Sequence, residues 1–341
     1  MGWFDFLTPE IAIDLGTANT LIIYKDKIVV DEPSIVAQDR LTNKIIAVGK
    51  QAMQMHGKTH DNIKTIRPLK DGVIADFHAA EYMIRGMIDM IGVKRGLFAP
   101  SWRMMICIPS GITEVEKRAV KDSAEHAGAK EVYMIHEPMA AAIGIGIDVE
   151  EPTGNMIIDI GGGTSEIAVI SLSGIVCDQS IRIAGDTFTA DIFDYVRKQH
   201  NILIGERTAE QIKIEVGAAL PELDNPPADI QVSGRDLMTG IPKQINVNYS
   251  EIAHALDKSI SKIESAILKA LEITPPELSS DIFQRGIYLT GGGSLLRGLD
   301  KRLSQKTKLP VHVAEDPLRA VVRGTGVALK NVERFMPFLL K

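Results

Sequence analysis

The chain contains the same acidic, glycine-rich turn twice, and this duplication constrains its fold more than any other feature. IAIDLGTA at residues 11–18 and IIDIGGGT at residues 157–164 both run an apolar strand into Asp-x-Gly and then Thr. The similarity extends over residues 11–37 and 156–185, which both read as strand, turn, strand, turn, strand. Helical patterns fill the intervals between such strands, which predicts an α/β architecture with mixed sheets. A long-period repeat of this kind indicates two related domains that face each other.

The two turns suit the binding of a polyphosphate between the domains. Glycine has no Cβ, so a tight glycine turn after a strand directs several backbone N–H groups at one anion. The candidate residues are Thr17, Ala18 and Asn19 in the first turn, and Gly161, Gly162, Gly163 and Thr164 in the second. Asp14 and Asp159 precede the turns and are candidates for Mg²⁺, which keeps most of its waters and sits between carboxylates and phosphates. We therefore expect a nucleotide in the cleft between the domains.

A third glycine run follows the apolar strand of IYLTGGGSLLRGL at residues 287–299. Gly291, Gly292, Gly293 and Ser294 would open a helix there, and a helix N-terminus suits a phosphate or a nucleoside. None of the three turns fits GxxxxGK[ST], so the pattern is not a P-loop. A single turn of this type is most often only a hairpin. Three of them, two with the strand-Asp-x-Gly prefix, favour a nucleotide site.

Two further stretches contain candidate site residues, each with a structural alternative. In VYMIHEPMAAAIGIG, Pro138 fits the first turn of a helix and biases Glu137 away from the helical region. Glu137 would then project from a strand-to-helix junction, where a carboxylate can orient or deprotonate a water in line with a γ-phosphate. Alternatively, it only caps the helix. In GERTAEQIKIEVG, Glu210 and Lys213 lie on one helical face, which by itself is typical of a solvated ion pair.

Composition and charge exclude several classes of function. A formal net charge of −6 argues against bulk nucleic-acid binding, which needs a basic face, so no nucleic-acid partner is expected. No uncharged apolar run approaches the ~18 residues of a membrane-spanning helix. The start of the chain lacks the basic and apolar regions of a secretory signal. Cys107 and Cys177 lie in apolar strand-like runs without a disulfide or CxxC framework, and together these features predict a cytoplasmic protein.

Motifs along nearly the whole chain, from about Ile11 to Phe335, resemble the actin-like ATPase superfamily and, within it, the MreB family of bacterial actin homologues. They include RPLKDGVIADF, IPSGITEVEKRAV, IHEPMAAAIG, DIGGGTSEIAV, IGERTAEQIK and LTGGGSLLRGLD, in this order. The resemblance implies two duplicated ribonuclease H-like domains around a nucleotide cleft, each with a small inserted subdomain. It also implies an ATPase that uses ATP and Mg²⁺ and whose hydrolysis is coupled to filament assembly. Because members of this family are rod shape-determining proteins, the expected filaments are membrane-associated, organise cell-wall synthesis and maintain rod cell shape.

The resemblance implies roles for individual residues. The nucleotide-binding residues that it implies are Thr17, Ala18, Asn19, Gly161, Gly162, Gly163, Thr164, Glu210, Gln211, Ile212, Lys213, Gly291, Gly292, Gly293 and Ser294. The segment from Glu210 to Lys213 matches the one beside adenine and ribose in the family, which favours a site over a solvated pair. Glu137 matches the hydrolytic position, and Asp14 and Asp159 match the aspartates on the metal side.

The resemblance also implies where the domains begin and end. Residues 1–150 would form domain I and residues 151–341 domain II. The inserted subdomains would lie at about residues 33–75 and 187–250. The C-terminal helix, at about 317–341, would pack back on domain I.

Two apolar segments are candidates for contact with the inner face of the cell membrane. GVKRGLFAPSW offers Leu97 and Phe98 next to two cations, and MGWFDF offers Trp3 and Phe4. Each apolar side chain that enters lipid contributes about 1.5–3 kcal/mol, so one molecule would bind weakly and a filament would multiply the contact. The alternative is that these residues pack on the protein's own surface. The expected partners are other copies of this chain, the inner membrane surface, and cell-wall elongation and morphogenetic membrane proteins.

Two other classes of protein use a cleft of this kind. A chaperone of the seventy-kilodalton heat-shock type needs a substrate-binding domain after the ATPase, for which 341 residues leave no room. A sugar or acetate kinase needs a second substrate pocket and an acidic residue that activates the acceptor, and no such residue is evident in the sequence. We therefore expect a polymerising ATPase.

Overall fold

The computed structural model of the chain describes residues 8–93 and 101–340 and has a mixed α/β fold. Its strands are β1 (Glu10–Leu15), β2 (Asn19–Tyr24), β3 (Lys27–Pro33), β4 (Val36–Asp39), β5 (Ile45–Val48), β6 (Ile63–Ile66), β7 (Leu69–Lys70), β8 (Val73–Ile74), β9 (Trp102–Ile108), β10 (Ala129–His136), β11 (Asn155–Ile160), β12 (Ser165–Ser171), β13 (Gly174–Ile181), β14 (Ile202–Leu203), β15 (Ile230–Asp236), β16 (Pro242–Val247), β17 (Ile287–Thr290) and β18 (Val311–Val313). Its α-helices are α1 (Lys50–Met55), α2 (Phe77–Met90), α3 (Glu114–His126), α4 (Glu137–Gly144), α5 (Gly185–His200), α6 (Glu206–Val216), α7 (Tyr249–Ile273), α8 (Pro276–Arg285), α9 (Leu299–Thr307), α10 (Ala320–Lys330) and α11 (Val332–Phe335).

Two five-stranded sheets with the same topology form the centre of the fold, which confirms the predicted duplication. The first has the order β3-β2-β1-β9-β10, and the second has the order β13-β12-β11-β17-β18. In both sheets the middle strand pairs antiparallel with the second strand of its hairpin and parallel with a strand from later in the chain. Because β1 and β11 hold equivalent places, the glycine turns that follow them lie at equivalent edges of the two sheets.

Two helices, α4 and α10, lie between the sheets. Their side chains share one buried cluster with residues of both sheets, including Ala12 of β1, Ile157 of β11, Ala140 of α4 and Ala328 of α10. Two larger clusters pack α2 and α3 on the first sheet and α5 and α7 on the second. Because both faces of the second sheet are covered, every residue of β11 and β12 is buried.

The C-terminal segment contains several short helices rather than the single helix predicted at about 317–341. α10 contacts β1, and it is followed by α11 and by a 3-10 turn at Met336–Phe338. Asn331 separates α10 from α11 with a φ of −122°, outside the helical range. Pro337 in the last turn lacks the N–H that a continuing helix needs. Leu340 then exchanges backbone hydrogen bonds with Met134 of β10.

Smaller sheets lie in the two segments predicted as insertions. β4, β5 and β6 form a three-stranded sheet within residues 33–75, and β14, β15 and β16 form another within residues 187–250. The domain boundaries themselves stay predictions.

None of the helices in the described part of the chain combines the length and the apolar character that crossing a membrane requires.

Candidate functional site

The glycine turns after β1 and β11 lie against each other. A Cβ placed on Gly162 would lie 2.7 Å from the Cβ of Ala18 and 3.0 Å from its backbone nitrogen. One placed on Gly163 would lie 2.5 Å from Oγ1 of Thr17, which accepts a hydrogen bond of 3.0 Å from the N–H of Gly72. These contacts leave no room for a side chain in the second turn, so glycine is required there. The second turn therefore contributes only backbone to this contact, and exposed backbone N–H groups are what a close approach to phosphate needs.

The residues predicted to bind phosphate differ in their exposure. Thr17 and Thr164 are buried, whereas Asn19 is exposed at the start of β2. The N–H of Gly161 donates to the carbonyl of Thr164 at 2.9 Å, which closes the second turn. Contacts within the protein thus hold the turn in its conformation.

The aspartates that precede the turns each accept a hydrogen bond from a neutral side chain. Sγ of Cys107 donates to Asp14 at 3.1 Å, and Oγ1 of Thr290 donates to Asp159 at 2.6 Å. Burial raises the pKa of Asp14 to about 6 and the pKa of Asp159 to about 7. The described residues include no group of three or more His, Cys, Asp or Glu side chains that could hold a metal alone. Mg²⁺ would therefore take most of its ligands from waters and phosphates, which fits its chemistry, and its charge would stabilise both carboxylates.

Glu137 is the first residue of α4. The predicted place of Glu137 at a strand-to-helix junction is confirmed, since β10 ends at His136. The predicted bias of Glu137 away from the helical region is wrong, because Glu137 is already part of the helix. Pro138 occupies the second helical position, where its missing N–H costs no helical hydrogen bond, and His136 is the residue that precedes the helix. Burial and the negative charges of nearby carboxylates, Glu166 first among them, raise the pKa of Glu137 well above its usual range. A carboxyl group with a raised pKa is suited to take a proton from water near neutral pH.

The Glu210 and Lys213 pair of α6 is joined to the second glycine turn. Nζ of Lys213 lies 2.7 Å from Oε2 of Glu210, and it donates to the carbonyl of Gly185 at 2.9 Å and to Oγ1 of Thr189 at 3.1 Å. The N–H of Gly185 donates in turn to the carbonyl of Gly161 at 3.1 Å. The pair is therefore part of a network that reaches the turn, and it is not an isolated surface pair.

The two residues between Glu210 and Lys213 do not belong to this network. Gln211 is exposed and donates to Glu215 at 2.9 Å. Ile212 is fully buried in the hydrophobic core beside the second sheet. The side chain of Ile212 therefore faces the core, and nucleotide contact by Gln211 and Ile212 stays a prediction.

The third glycine turn packs on the end of β11. A Cβ placed on Gly291 would lie 2.3 Å from the carbonyl oxygen of Ile160, and one on Gly293 would lie 2.2 Å from its Cγ2. Ser294 is buried and its hydroxyl donates to the carbonyl of Gly291 at 2.6 Å, while Gly292 is exposed. The prediction that this run opens a helix is confirmed, but the helix is a short 3-10 helix at Gly292–Leu295, and α9 begins after it. The low helix propensity of consecutive glycines favours the shorter turn.

Two features of the cleft are absent from the predictions. Glu166 of β12 is fully buried and accepts hydrogen bonds from Ser110. Glu206, at the start of α6, accepts a hydrogen bond of 2.8 Å from Arg67 and lies 3.2 Å from Nε2 of His56. Both depend on partners far away in the sequence, for which a local pattern carries no signal. The one hint is the glutamate of TSEIAV, a charged residue in an otherwise apolar strand.

Three known proteins are similar to nearly the whole chain. Cell shape-determining protein Mbl of Bacillus subtilis (strain 168) is 50% identical over 326 residues, which are 95% of this chain and 97% of the relative. Cell shape-determining protein MreB of Escherichia coli (strain K12) is 51% identical over 329 residues, which are 95% of this chain and 94% of the relative. The crystal structure of MreB 5 of Spiroplasma citri bound to AMPPNP has a TM-score of 0.90 at 39% identity, with 97% of this chain and 98% of that chain covered.

A family model agrees with these similarities. The model described as MreB/Mbl protein matches residues 8–336. This range contains all three glycine turns, both aspartates and Glu137. The predicted actin-like ATPase fold is confirmed by the family match and by the structural similarity. The chain belongs to the MreB/Mbl family.

Proposed function

We propose that this protein binds ATP with Mg²⁺ between its two glycine turns, hydrolyses it, and assembles into filaments that determine cell shape. The observation that carries the proposal is the contact of Gly162 with Ala18, which brings the two turns together, with Asp14 and Asp159 preceding them in their strands. Two relatives that are named as cell shape-determining proteins support it. Further support comes from the similar structure that is bound to AMPPNP, an ATP analogue.

The nucleotide would contact backbone in all three turns and side chains in α6. The proposed phosphate-binding residues are Thr17, Ala18, Asn19, Gly161, Gly162, Gly163 and Thr164. Glu210 and Lys213 would lie beside the ribose and adenine, because their network ties α6 to the second turn. The third turn packs on the end of β11, the strand that leads into the second turn, and would contribute Gly291, Gly292, Gly293 and Ser294.

The hydrolytic step would depend on three carboxylates. Mg²⁺, when bound, would supply positive charge between the phosphates and the carboxylates of Asp14 and Asp159. Glu137 would orient the attacking water and accept its proton. Burial and the neighbouring negative charges give Glu137 the raised pKa that such a base needs near neutral pH. Its place at the start of α4 attaches this carboxylate to a helix that is packed between the sheets.

Assembly on a membrane would connect ATP turnover to cell shape. The proposed membrane contacts are Trp3, Phe4, Leu97 and Phe98, which lie outside the residues that the structure describes, so their role rests on the sequence. Repetition along a filament would multiply these weak contacts. The filaments would lie in the cytoplasm at the inner face of the cell membrane, with cell-wall elongation and morphogenetic membrane proteins as partners. Residues 1–150 and 151–341 would form the two domains of each subunit.

High-speed sedimentation tests the proposal. The purified protein would be centrifuged with and without ATP and Mg²⁺, and with and without anionic liposomes. We expect pelleting that requires ATP and Mg²⁺ and that increases with liposomes. Replacing both Leu97 and Phe98 by Ser should remove the increase with liposomes and keep the pelleting that depends on nucleotide. Protein that stays in the supernatant throughout, and that turns over ATP only when a sugar or acetate is added, would overturn the filament proposal and favour a kinase.

A further inference from the structure

Glu166 is a buried carboxylate that joins the two halves of the protein. Its side chain is 0% exposed, and Glu166 is the second residue of strand β12. One carboxylate oxygen accepts hydrogen bonds from the backbone N–H of Ser110 at 3.0 Å and from its hydroxyl at 2.6 Å. The other oxygen accepts one of 2.6 Å from the hydroxyl of Ser180 in β13. Ser110 follows β9 of the first sheet, whereas Glu166 and Ser180 belong to the second.

The loop that contains Ser110 is held from two sides. A Cβ placed on Gly111 would lie 2.9 Å from the Cβ of Ser180, so the backbone of this loop lies directly against the Ser180 side chain of β13. On its other side, the carbonyl of Pro109 lies 3.4 Å from Nδ1 of His136, and because a carbonyl can only accept, Nδ1 must donate. The loop therefore links Glu166 to His136 through adjacent residues.

His136 connects this loop to the proposed hydrolytic residue. It is the residue that precedes α4, and Glu137 follows it as the first residue of that helix. A shift of the loop would therefore move the start of α4. The contacts run without a gap from Glu166 to Ser110, from Pro109 to His136, and from there to Glu137.

Stability alone does not account for a carboxylate at this place. Among the described residues no Lys, Arg or His forms an ion pair with Glu166, and one of its two cross-strand neighbours is Asp159, another acid. Burying a carboxylate without a cation is costly, and three neutral donors offset this cost only while all of them stay in position. Burial accordingly raises the pKa of Glu166, while the serine hydrogen bonds act in the opposite direction. An apolar or amide side chain would satisfy packing at a lower cost.

We propose that Glu166 is a positioning residue for ATP hydrolysis, which holds the Pro109–Gly111 loop against the second sheet and thereby fixes the start of α4 and the carboxylate of Glu137. The inference rests on the proposed function. Glu166 does not contact the nucleotide in this account. It holds Glu137 in place through the loop and His136, while its negative charge separately contributes to the raised pKa of Glu137.

Paired measurements of ATP affinity and single-turnover phosphate release test the inference. Glu166→Ala should lower the rate of phosphate release by about tenfold or more, since small misplacements of a catalytic group are costly, and leave the Kd for ATP with Mg²⁺ within about twofold. Glu166→Gln should recover most of the rate, because its amide oxygen can still accept from Ser110 and its amide group can donate to the hydroxyl of Ser180. Ser110→Ala keeps the test available if Glu166→Ala does not fold, since it removes one donor and leaves the backbone hydrogen bond.

The decisive comparison uses Glu137→Gln as a second background. If Glu166 acts through Glu137, then neither Glu166→Ala nor Ser110→Ala should lower the residual rate further. An equal loss in both backgrounds, or an unchanged rate in the wild-type background, would overturn the inference.

Glu264→Gln is the control for loss of stability alone, because Glu264 is another buried carboxylate, is bound to Arg302, and lies in α7. It should lower the unfolding midpoint and keep the rate. If the wild-type protein binds ATP but releases no phosphate, the proposed function fails, which this series distinguishes from a failure of the Glu166 inference.

Discussion

Gly144 of α4 and Gly324 of α10 cross in direct backbone contact between the two sheets. A Cβ placed on Gly144 would lie 1.8 Å from the carbonyl oxygen of Ala320, and one placed on Gly324 would lie 1.7 Å from the carbonyl oxygen of Ala140. Both neighbours are helix backbone, so a side chain at this crossing would push the helices apart. Because Glu137 is the first residue of α4, the crossing also fixes the position of the helix to which this carboxylate is attached.

Gly324→Ala should lower the free energy of unfolding by about 3 kcal/mol or more, because the added methyl group meets backbone that cannot move aside. Gly326→Ala is the matched control on the same helix. Its Cβ would meet only the side chain of Ile23, at 3.2 Å, and alanine favours the helical conformation. Urea unfolding of both variants and the wild type measures the difference. Equal unfolding midpoints for Gly324→Ala and the wild type would contradict the crossing geometry.

Gly162→Ala should weaken the binding of ATP with Mg²⁺ by about tenfold or more, which corresponds to about 1.4 kcal/mol. The new Cβ would lie 2.7 Å from that of Ala18, so the two turns would have to separate. Gly174→Ala serves as the control, because its Cβ would lie 3.6 Å from the nearest atom, the carbonyl oxygen of Ser171. Titration calorimetry gives both dissociation constants. An unchanged Kd for a folded Gly162→Ala variant would show that the turns do not bind phosphate together.

Glu137→Gln should keep the affinity for ATP and lower the rate of phosphate release by about a hundredfold or more, because an amide cannot accept the proton of the attacking water. Glu125→Gln, at an exposed position of α3, is the control and should keep both quantities. Phosphate release under single-turnover conditions and nucleotide binding by fluorescence provide the two measurements. A variant that hydrolyses ATP at the wild-type rate would remove Glu137 from its proposed role.

The glycine turns could be predicted because their determinants are local. An apolar run that ends in Asp-x-Gly specifies a strand and its turn within a few residues, and both hairpins have the predicted strands. The contact of Glu166 with Ser110 could not be predicted, since 56 residues separate the partners and neither has a distinctive neighbourhood. Ile212 shows a related limit. The residue pattern predicted the helix correctly, but the resemblance, which implies that residues 210–213 lie beside the nucleotide, could not tell which of their side chains face the core.

The buried aspartates should make the stability of the nucleotide-free protein depend on pH. Burial raises the pKa of Asp14 from 3.8 to about 6 and that of Asp159 from 3.8 to about 7. Between about pH 4 and pH 7 the folded state therefore holds more protons than the unfolded state. Below about pH 4 these groups make their most favourable contribution to the free energy of unfolding. The free energy of unfolding then falls as the pH rises through this window and becomes constant above it.

Urea unfolding between about pH 4 and pH 8, which covers the window and the start of the plateau above it, with a chelator and without nucleotide, checks this dependence. The Asp159→Asn variant should be more stable than the wild type at the upper end of the range and should lose less stability with rising pH. Each pKa unit corresponds to about 1.4 kcal/mol, so the difference should be on the order of a few kcal/mol. Asp61→Asn, at an exposed position, should match the wild type. Parallel pH profiles for Asp159→Asn and the wild type would contradict the assignment.

Glu206 joins α6 to the first half of the chain, and this contact should slow the release of ATP. One carboxylate oxygen accepts from Nη2 of Arg67 at 2.8 Å, and the other lies 3.2 Å from Nε2 of His56. The three side chains are partly exposed, so each pair contributes only about 0.2–1 kcal/mol. Because α6 also contains Glu210 and Lys213, Arg67→Glu should speed the release of bound ATP by about two- to fivefold, and by less at high salt.

The control for this prediction is the charge exchange, in which Arg67→Glu and Glu206→Arg together should restore slow release. Stopped-flow displacement of a fluorescent ATP analogue measures the release rates. A double variant that releases ATP faster than either single variant would exclude a direct pairing of the two residues.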